Sequence, residues 1–524
     1  MRNLTYFFLF FCCLAIGQDN NHAWVYFNDK PNFETYLDNP NLILTEKSIQ
    51  KKNNKNVPID YLDVPVYKKF VDSILSLGNF EYMAKSKWFN FIHIIGNENE
   101  IQNLENIGFV KKVVMADRTI NKSTEYNPDL KFIDQENDNP VNQIEMIGLD
   151  FLHDLGFRGQ GISIAIFDAG YRNVDSMSAF SRIHSLDNIK YEYDFVDKTD
   201  NLYSYTGNSH GTLVLSVMAG YVESEFIGSA PDSEYYLFRT EDITSETPAE
   251  ESYWIEAIEV ADSLGVDITN TSLGYKNYDN ENYSYQNHEM NGYTALITQA
   301  ANIAFDKGII IVNSAGNSSD AGVIAPADSP NVLSIGAVNH LGDYAFFSSQ
   351  GNNFQPTTKP DIVAQGYDTF VVNAEGELTK ASGTSFSSPV ISGAIACLYQ
   401  AFNEFSNKKI YNVVRNSSSQ FYFPDSFLGF GIPNFELAYA ISLKNNLNEF
   451  VVYPTVVLDD IKIINYESQL FEVKIYDIKG RDIFTKKYND VLNNIDLAFL
   501  AKGVYYLNIK NFDGDLISKK IIKK

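Results

Sequence analysis

Ile162-Ser163-Ile164-Ala165-Ile166-Phe167-Asp168-Ala169-Gly170 is the stretch that decides how this chain is read. A compact, almost wholly apolar run ends in a carboxylate followed by two small residues. Runs of this kind are strands covered on both faces, as the strands of parallel sheets are. Ile162–Phe167 has companions at Tyr235–Phe238, Ile309–Val312 and Val332–Val338, and helical patterns at Tyr253–Leu264 and Thr294–Lys307 fall between them. From about Gln143 to Lys444 the chain therefore reads as an open α/β fold with a parallel sheet. Ligands of such a sheet belong at the carboxyl ends of its strands.

Four elements place reactive groups on that rim. Asp168 ends a buried strand, although an acid there is more often a turn former or cap. Asn208-Ser209-His210-Gly211-Thr212 opens an apolar helix, which lets His210 project a ring nitrogen into a cleft; the plainer reading is a structural histidine. Ser382-Gly383-Thr384-Ser385-Phe386-Ser387-Ser388-Pro389 starts a buried helix, with Pro389 in its first turns. Ser385 thus lies near a helix N-terminus, where amides and dipole favour a developing negative charge, although Ser and Thr are also the usual caps there. Ile309–Val312 runs into Asn313-Ser314-Ala315-Gly316-Asn317, a tight turn that presents an amide; a loop asparagine tolerating a left-handed backbone is the alternative. Taken together they fall on one rim in the order Asp, His, Asn, Ser. For a nucleophilic triad, Asp before His before Ser is one of three known orders.

Outward from this core the chain of 524 residues has room for two to four domains. Arg2, the apolar run Tyr6–Ile16, and small Ala15 and Gly17 form a cleavable leader over residues 1–17. Bulky Phe10 and Phe11 argue against lipidation at Cys12 or Cys13. No later run is apolar and long enough to span a bilayer, so the mature chain has no expected transmembrane helix. Removal of the leader leaves Cys397 alone, with no internal disulfide and no CxxC metal site. Its apolar helical setting makes it a small core residue. Residues 18–116 read as a small α+β unit, with a helix in Pro65–Leu77, a strand over Trp88–Ile95, a helix opened by Asn97 and Glu100, and a strand over Phe109–Met115. A polar linker spans 117–142, and residues 143–444 form the α/β domain. In 445–524, strand patterns at Glu472–Tyr476 and Val504–Lys510 with turns at Lys479-Gly480 and Asp513-Gly514 give a small antiparallel β-sandwich. A net charge of −25 repels phosphate backbones, which argues against a nucleic-acid partner.

The segment Gln143–Lys444 resembles a subtilase catalytic domain, the subtilisin-like serine proteases. Its anchors are Phe167-Asp168-Ala169-Gly170, Ser209-His210-Gly211-Thr212, Ser314-Ala315-Gly316-Asn317 and Gly383-Thr384-Ser385-Phe386-Ser387-Ser388-Pro389, with Thr271-Ser272-Leu273-Gly274 as the substrate-lining strand. The departures are Ala169 where Thr or Ser is common, Ser314 where Ala is common, and Phe386-Ser387 for Met-Ala. The resemblance implies a secreted serine endopeptidase working through an acyl-enzyme. Ser385 would be the nucleophile, His210 the base, Asp168 its orienting partner and Asn317 the oxyanion donor. Ser272, Leu273, Gly274, Ser314, Ala315 and Gly316 would line the bound peptide. Ile324 would lie near the floor of the pocket for the residue before the cut, with apolar or aromatic side chains expected there. No cofactor is required for this chemistry; structural calcium is common in the family, but no oxygen-ligand spacing here names ligands.

Residues 18–116 resemble a subtilase pro-segment through Ser86-Lys87-Trp88-Phe89-Asn90 and Gly108-Phe109-Val110-Lys111-Lys112-Val113. That implies a zymogen whose pro-segment is its own inhibitor, with processing in the 117–142 linker. The C-terminal part resembles the type IX secretion sorting domain through Val452-Tyr453-Pro454, Ile475–Arg481 and Leu500–Tyr505, with Thr455 a departure. It implies the type IX machinery as partner, export through the periplasm of a Gram-negative cell, and a secreted or cell-surface enzyme acting on proteins or peptides. The competing reading is an inactive protease-like surface binding or adhesion protein, against which all four reactive residues stand. A nucleotide-binding α/β protein or an HExxH metallopeptidase lacks its motif here.

Overall fold

A computed structural model of the chain describes residues 21–118, 142–443, 450–453, 456–465, 470–490, 492–510 and 516–524. The expected leader, nearly all of the polar linker, Pro454-Thr455 and the Asp513-Gly514 turn lie outside the described residues. Seven strands form one wholly parallel sheet in the order Ile362–Gln365, Leu333–Val338, Ile310–Ser314, Ile268–Thr271, Ser163–Asp168, Glu234–Arg239 and Ile189–Asp194. The expected central strand extends to Asp168, so the carboxylate is its last residue. Strand order reverses beside Ser163–Asp168, which puts the carboxyl ends of that strand and of Ile268–Thr271 at the topological switch point.

Alternation along the central strand divides its side chains between two cores. Ile164 and Ile166 pack with Val214, Val390 and Ile391 on one face, beneath the helices His210–Ala219 and Thr384–Ala401. Ala165 and Phe167 pack with Trp254, Ile255 and Ile258 on the other, beneath Pro248–Leu264 and Leu296–Asp306. Cys397 is fully buried within Thr384–Ala401, and burial pushes its thiol pKa up, so it behaves as a small core residue. The Pro248–Leu264 helix begins earlier than the apolar pattern from Tyr253. Thr247 and Glu250 form a capping box around Pro248 at the first turn, and Gly265 closes the helix at φ 81°.

Residues 21–118 build a four-stranded antiparallel sheet in the order Glu81–Ser86, Phe91–Gly96, Asn21–Phe27, Val110–Met115. Ala23, Val25 and Phe27 face the unit's own core with Ile74, Ile94 and Ile101, while Trp24 faces the helix Pro248–Leu264. Trp24 Nε1 donates to Ser252 Oγ at 2.9 Å. The strand expected from Trp88 begins only at Phe91, because Asn90 turns the chain at φ 56° and the Lys87 and Trp88 N–H groups point away from the ladder. They donate to the Glu259 carboxylate at 2.7 and 3.0 Å, joined there by Ser86 Oγ. Burial pushes the Glu259 carboxyl up to about 7, against the pull of Lys87 and these donors. Lys52 reaches Asp262 at 2.6 Å and Lys307 reaches Asp63 at 2.9 Å, so both units contribute charge to a buried ion network between them.

At the C-terminus two sheets share one core. One has the order Phe450–Tyr453, Asp460–Asn465, Leu492–Asp496, and the other Val456–Val457, Leu516–Lys523, Gly503–Lys510, Phe471–Asp477, Asp482–Tyr488. Leu507 and Ile509 are buried against Val473, Ile475, Ile461 and Ile463, which is the expected packed face of a sandwich. The expected all-antiparallel pairing fails at one edge, where Val456–Val457 runs parallel to Ile522–Lys523. No helix among the described residues is long and apolar enough to cross a membrane.

Candidate active site

The carboxyl end of Ser163–Asp168 delivers a fully buried Asp168 to the rim. Its Oδ1 accepts from the Ala169 N–H at 2.8 Å and from His210 Nδ1 at 2.7 Å. A carboxylate facing Nδ1 fixes the tautomer with the proton there and leaves Nε2 as the basic nitrogen. Asp168 Oδ2 is buried and has no protein donor; Ala169, where the resemblance expects Thr or Ser, brings no hydroxyl. His210 is the first residue of its helix, and Asn208 Oδ1 accepts its backbone N–H at 2.7 Å. Gly211 is needed for this approach: a Cβ there would stand 2.7 Å from Gly170 O and 3.0 Å from Asp168 Cβ. Burial opposes charge on the His210 ring, but the Asp168 carboxylate and its hydrogen bond outweigh it, so the His210 pKa lies above the usual 6.5.

Ser385 stands in the first turn of Thr384–Ala401, where backbone N–H groups have no intrahelical acceptor. Its Oγ donates to the Ser272 carbonyl at 3.3 Å, and Ser272 Oγ donates to the Ser385 carbonyl at 2.9 Å. Asn270 lies beneath this exchange. Its Nδ2 donates to Ser272 Oγ, while its Oδ1 accepts from Ser388 and Ser392, both at 2.9 Å. Ser387 Oγ turns back to the Thr384 carbonyl, so neither neighbouring hydroxyl faces the rim as Ser385 does. Phe386 packs its ring 5.9 Å from that of His210, which gives the departure from Met a contact of its own.

Asn317 follows the strand Ile310–Ser314. Its Oδ1 accepts from Thr384 N at 2.8 Å and from Thr384 Oγ1 at 3.0 Å. With the amide oxygen so tied, Nδ2 is the free end, and it lies 3.4 Å from where a Cβ on Gly383 would stand. Gly316, at φ 106°, donates its N–H to the same Thr384 hydroxyl at 3.2 Å. Ser314 and Ala315 are buried below this turn. The Leu273 carbonyl accepts from Asn313 Nδ2 at 3.0 Å, whereas Gly274 has no hydrogen-bond partner for its N–H and C=O among the described residues, as an edge for an added strand requires. Ile324 sits between Gly274 and Gly316: a Cβ on Gly274 would meet Ile324 Cδ1 at 2.7 Å, and one on Gly316 would meet Ile324 Cγ1 at 3.6 Å.

Thr384, Asn270 and Ser349, which accepts the Ser318 N–H at 3.1 Å, were not singled out by sequence. Asn270 carried a signal, a polar amide inside the short buried run Ile268–Thr271. As to metals, Glu241, Glu246 and Glu250 bring three carboxylate oxygens within 4.8 Å of one another. Burial pushes Glu241 up to about 8 and Glu250 to about 10, and Tyr275 OH donates to Glu241. Glu250 also accepts from the Asp242 and Thr247 N–H groups at 3.2 and 3.0 Å, so oxygens of this cluster are already engaged by protein donors.

A parallel sheet with this equipment at its switch point belongs to the class of serine endopeptidases. Residues 159–432 match the subtilase family, peptidase S8, over more than half of the chain, and the chain belongs to that family. Residues 22–131 match the peptidase S8 propeptide domain of Bacteroidota, and residues 451–524 match the secretion system C-terminal sorting domain. The chain is 29% identical to subtilisin of Bacillus pumilus over 301 residues, covering 56% of this chain and 97% of that one. Subtilisin E of Bacillus subtilis is 29% identical, covering 56% and 70% of the two chains. Subtilisin Savinase of Lederbergia lenta is 26% identical over 287 residues, covering 55% and 93%. The crystal structure of MycP1 from Mycobacterium smegmatis aligns over 58% of this chain and 84% of that one, at 20% identity and a TM-score of 0.46.

Proposed function

We propose that this subtilase is an exported zymogen whose Asp168, His210 and Ser385 hydrolyse peptide bonds through an acyl-enzyme, with Asn317 as the side-chain oxyanion donor. The observation that carries the reading is the Asp168–His210 hydrogen bond of 2.7 Å, beside the helix start that holds Ser385. The hydroxyl of Ser385 turns from the Ser272 carbonyl to His210 Nε2 and gives up its proton as Oγ attacks the scissile carbonyl. Asn317 Nδ2 and the Ser385 N–H receive the oxyanion. His210 returns the proton to the leaving amine; a water then repeats the sequence on the ester. The Ser272-Leu273-Gly274 edge pairs with the substrate backbone, and Ser314-Ala315-Gly316 forms the facing wall.

Residues 18–116 act as the folding aid and plug, and a cut in 117–142 frees the 143–444 domain. Residues 445–524 direct export by the type IX route to the medium or cell surface. Asn317→Ala is expected to lower kcat by about 10²–10³ with little change in KM, a magnitude carried over from subtilisin itself. An unchanged kcat would remove Asn317 from the oxyanion site. The pocket floor sharpens the substrate. Of the apolar or aromatic side chains expected before the cut, the smaller apolar ones suit a pocket in which Ile324 lies between Gly274 and Gly316. Ile324→Gly is expected to shift kcat/KM toward Phe over Ala at that position by at least about tenfold, since each buried methylene is worth about 0.8 kcal/mol. Peptide substrates differing only there measure it, and an unaltered Phe/Ala ratio would place the floor elsewhere. Fluorophosphonate labelling of the processed enzyme at Ser385 tests the function as a whole; a processed chain that never labels would refute it.

A further inference from the structure

Where residues 21–118 leave their sheet, Arg118 is seated in a socket built wholly by the α/β domain. Its guanidinium lies over the Tyr285 ring, 3.7 Å from the centroid. Nε donates to the Tyr283 carbonyl at 2.9 Å, and Nη1 to Glu289 Oε1 at 3.2 Å. The Arg118 N–H donates to the Asn282 carbonyl at 2.6 Å, and Asn282 Nδ2 to Asp117 Oδ2 at 3.2 Å. An exposed ion pair would deserve little weight. Here one side chain is read on its face, on its Nε edge and at its fork, and only a planar guanidinium satisfies all three.

The socket does not depend on its occupant. Tyr285 is buried, its hydroxyl donating to Glu251 at 3.0 Å and accepting the Leu296 N–H at 3.1 Å. Glu289 Oε2 is held by the Gln286 N–H at 2.8 Å, which leaves Oε1 to face Arg118. None of these supports comes from residues 21–118, so Tyr285 and Glu289 keep their placement when those residues leave; the Tyr283 ring alone gives up a contact, edge-on against His22 at 5.6 Å. Arg118 also precedes every bond of the linker except Asp117–Arg118, so a cut anywhere beyond it leaves this arginine on the acyl side.

We infer that Tyr285, Glu289 and the Tyr283 carbonyl form an arginine-recognition subsite, occupied by Arg118 in the zymogen and by an arginine of extended protein substrates, upstream of the cut bond, in the mature enzyme. This rests on the endopeptidase reading above. Its first test needs no turnover. Processed wild type and Glu289→Gln, both blocked with a fluorophosphonate or left unlabelled if they resist it, are titrated with a fluorescent peptide of residues 110–122 and with the same peptide carrying citrulline at position 118. The arginine peptide should bind wild type about tenfold more tightly than its neutral isostere, with the gap closing in Glu289→Gln and in high salt. Equal binding of the two peptides by wild type overturns the inference. The second test is cleavage of a peptide library. Active wild type should enrich arginine at one upstream position, and Glu289→Gln should lose that enrichment while keeping its preference before the cut. Cleavage with no upstream arginine enrichment reduces the socket to a pro-segment latch and overturns the substrate role. A wild type that neither labels nor cleaves refutes the protease reading instead, and the titration still reports on the socket.

Discussion

Ser385→Ala is expected to lower casein hydrolysis by about 10⁶-fold, a magnitude carried over from the same substitution in subtilisin, and to accumulate as unprocessed chain. The alanine removes one Oγ whose contact is a 3.3 Å bond to the Ser272 carbonyl, so folding should survive it. Nothing nearby can stand in for it. Ser387 Oγ is spent on the Thr384 carbonyl and Ser388 Oγ on Asn270, and both are fully buried. Ser387→Ala therefore serves as the control that keeps activity. Mass spectrometry of the wild type should find a new N-terminus within 117–142, and Ser385→Ala should retain residues 18–116. Equal digestion by wild type and Ser385→Ala would sink the mechanism. A fully active wild type with an intact linker would sink the zymogen reading alone.

The rim was legible in the sequence because each reactive residue sits where a local pattern changes. Asp168 ends an apolar run, His210 and Ser385 open apolar helices, and Asn317 closes a small-residue turn. Local patterns of this kind survive without knowledge of the partner. The first strand, Asn21–Phe27, was missed, although His22-Ala23-Trp24-Val25-Tyr26-Phe27 has strand-forming residues; its polar approach masked it. The start at Pro248 was missed for a different reason. Thr247 and Glu250 spelled a capping box, but Glu250, Glu251 and Ser252 are polar residues that burial by the rest of the fold makes internal.

Partners distant in sequence were not legible at all. Ser86-Lys87-Trp88 announced a pro-segment, yet nothing local says that their N–H and O–H groups meet Glu259. The same holds for Arg118, whose socket is contributed by an irregular segment with little repeating pattern. Likewise, the pocket floor needs three-dimensional spacing. Ile324 was expected at the pocket floor by resemblance alone, and its closeness to Gly274 and Gly316 could not be read from the sequence.

Asp168→Asn is the second large effect, and its sign in pH is specific. The base must be neutral, so activity is lost as pH falls through the His210 pKa, which in the wild type lies above 6.5. Two opposing causes set that value: burial lowers it, and the Asp168 carboxylate with its hydrogen bond raises it more. The asparagine amide removes the charge and keeps the burial. The acid limb of kcat/KM should therefore move below 6.5, to lower pH than in wild type. At the same time kcat should drop by about 10⁴-fold, as in the equivalent substitution of another serine protease, because an amide no longer stabilises the imidazolium or holds the Nδ1–H tautomer. Asp168 Oδ2 has no protein donor to lose, so the damage should be electrostatic rather than a collapse of the strand end. Near-wild-type thermal unfolding would accompany the loss if so. Residual activity whose acid limb stays above 6.5 would mean that some group other than Asp168 raises the His210 pKa. The Asp168–His210 bond of 2.7 Å would then be structural rather than catalytic.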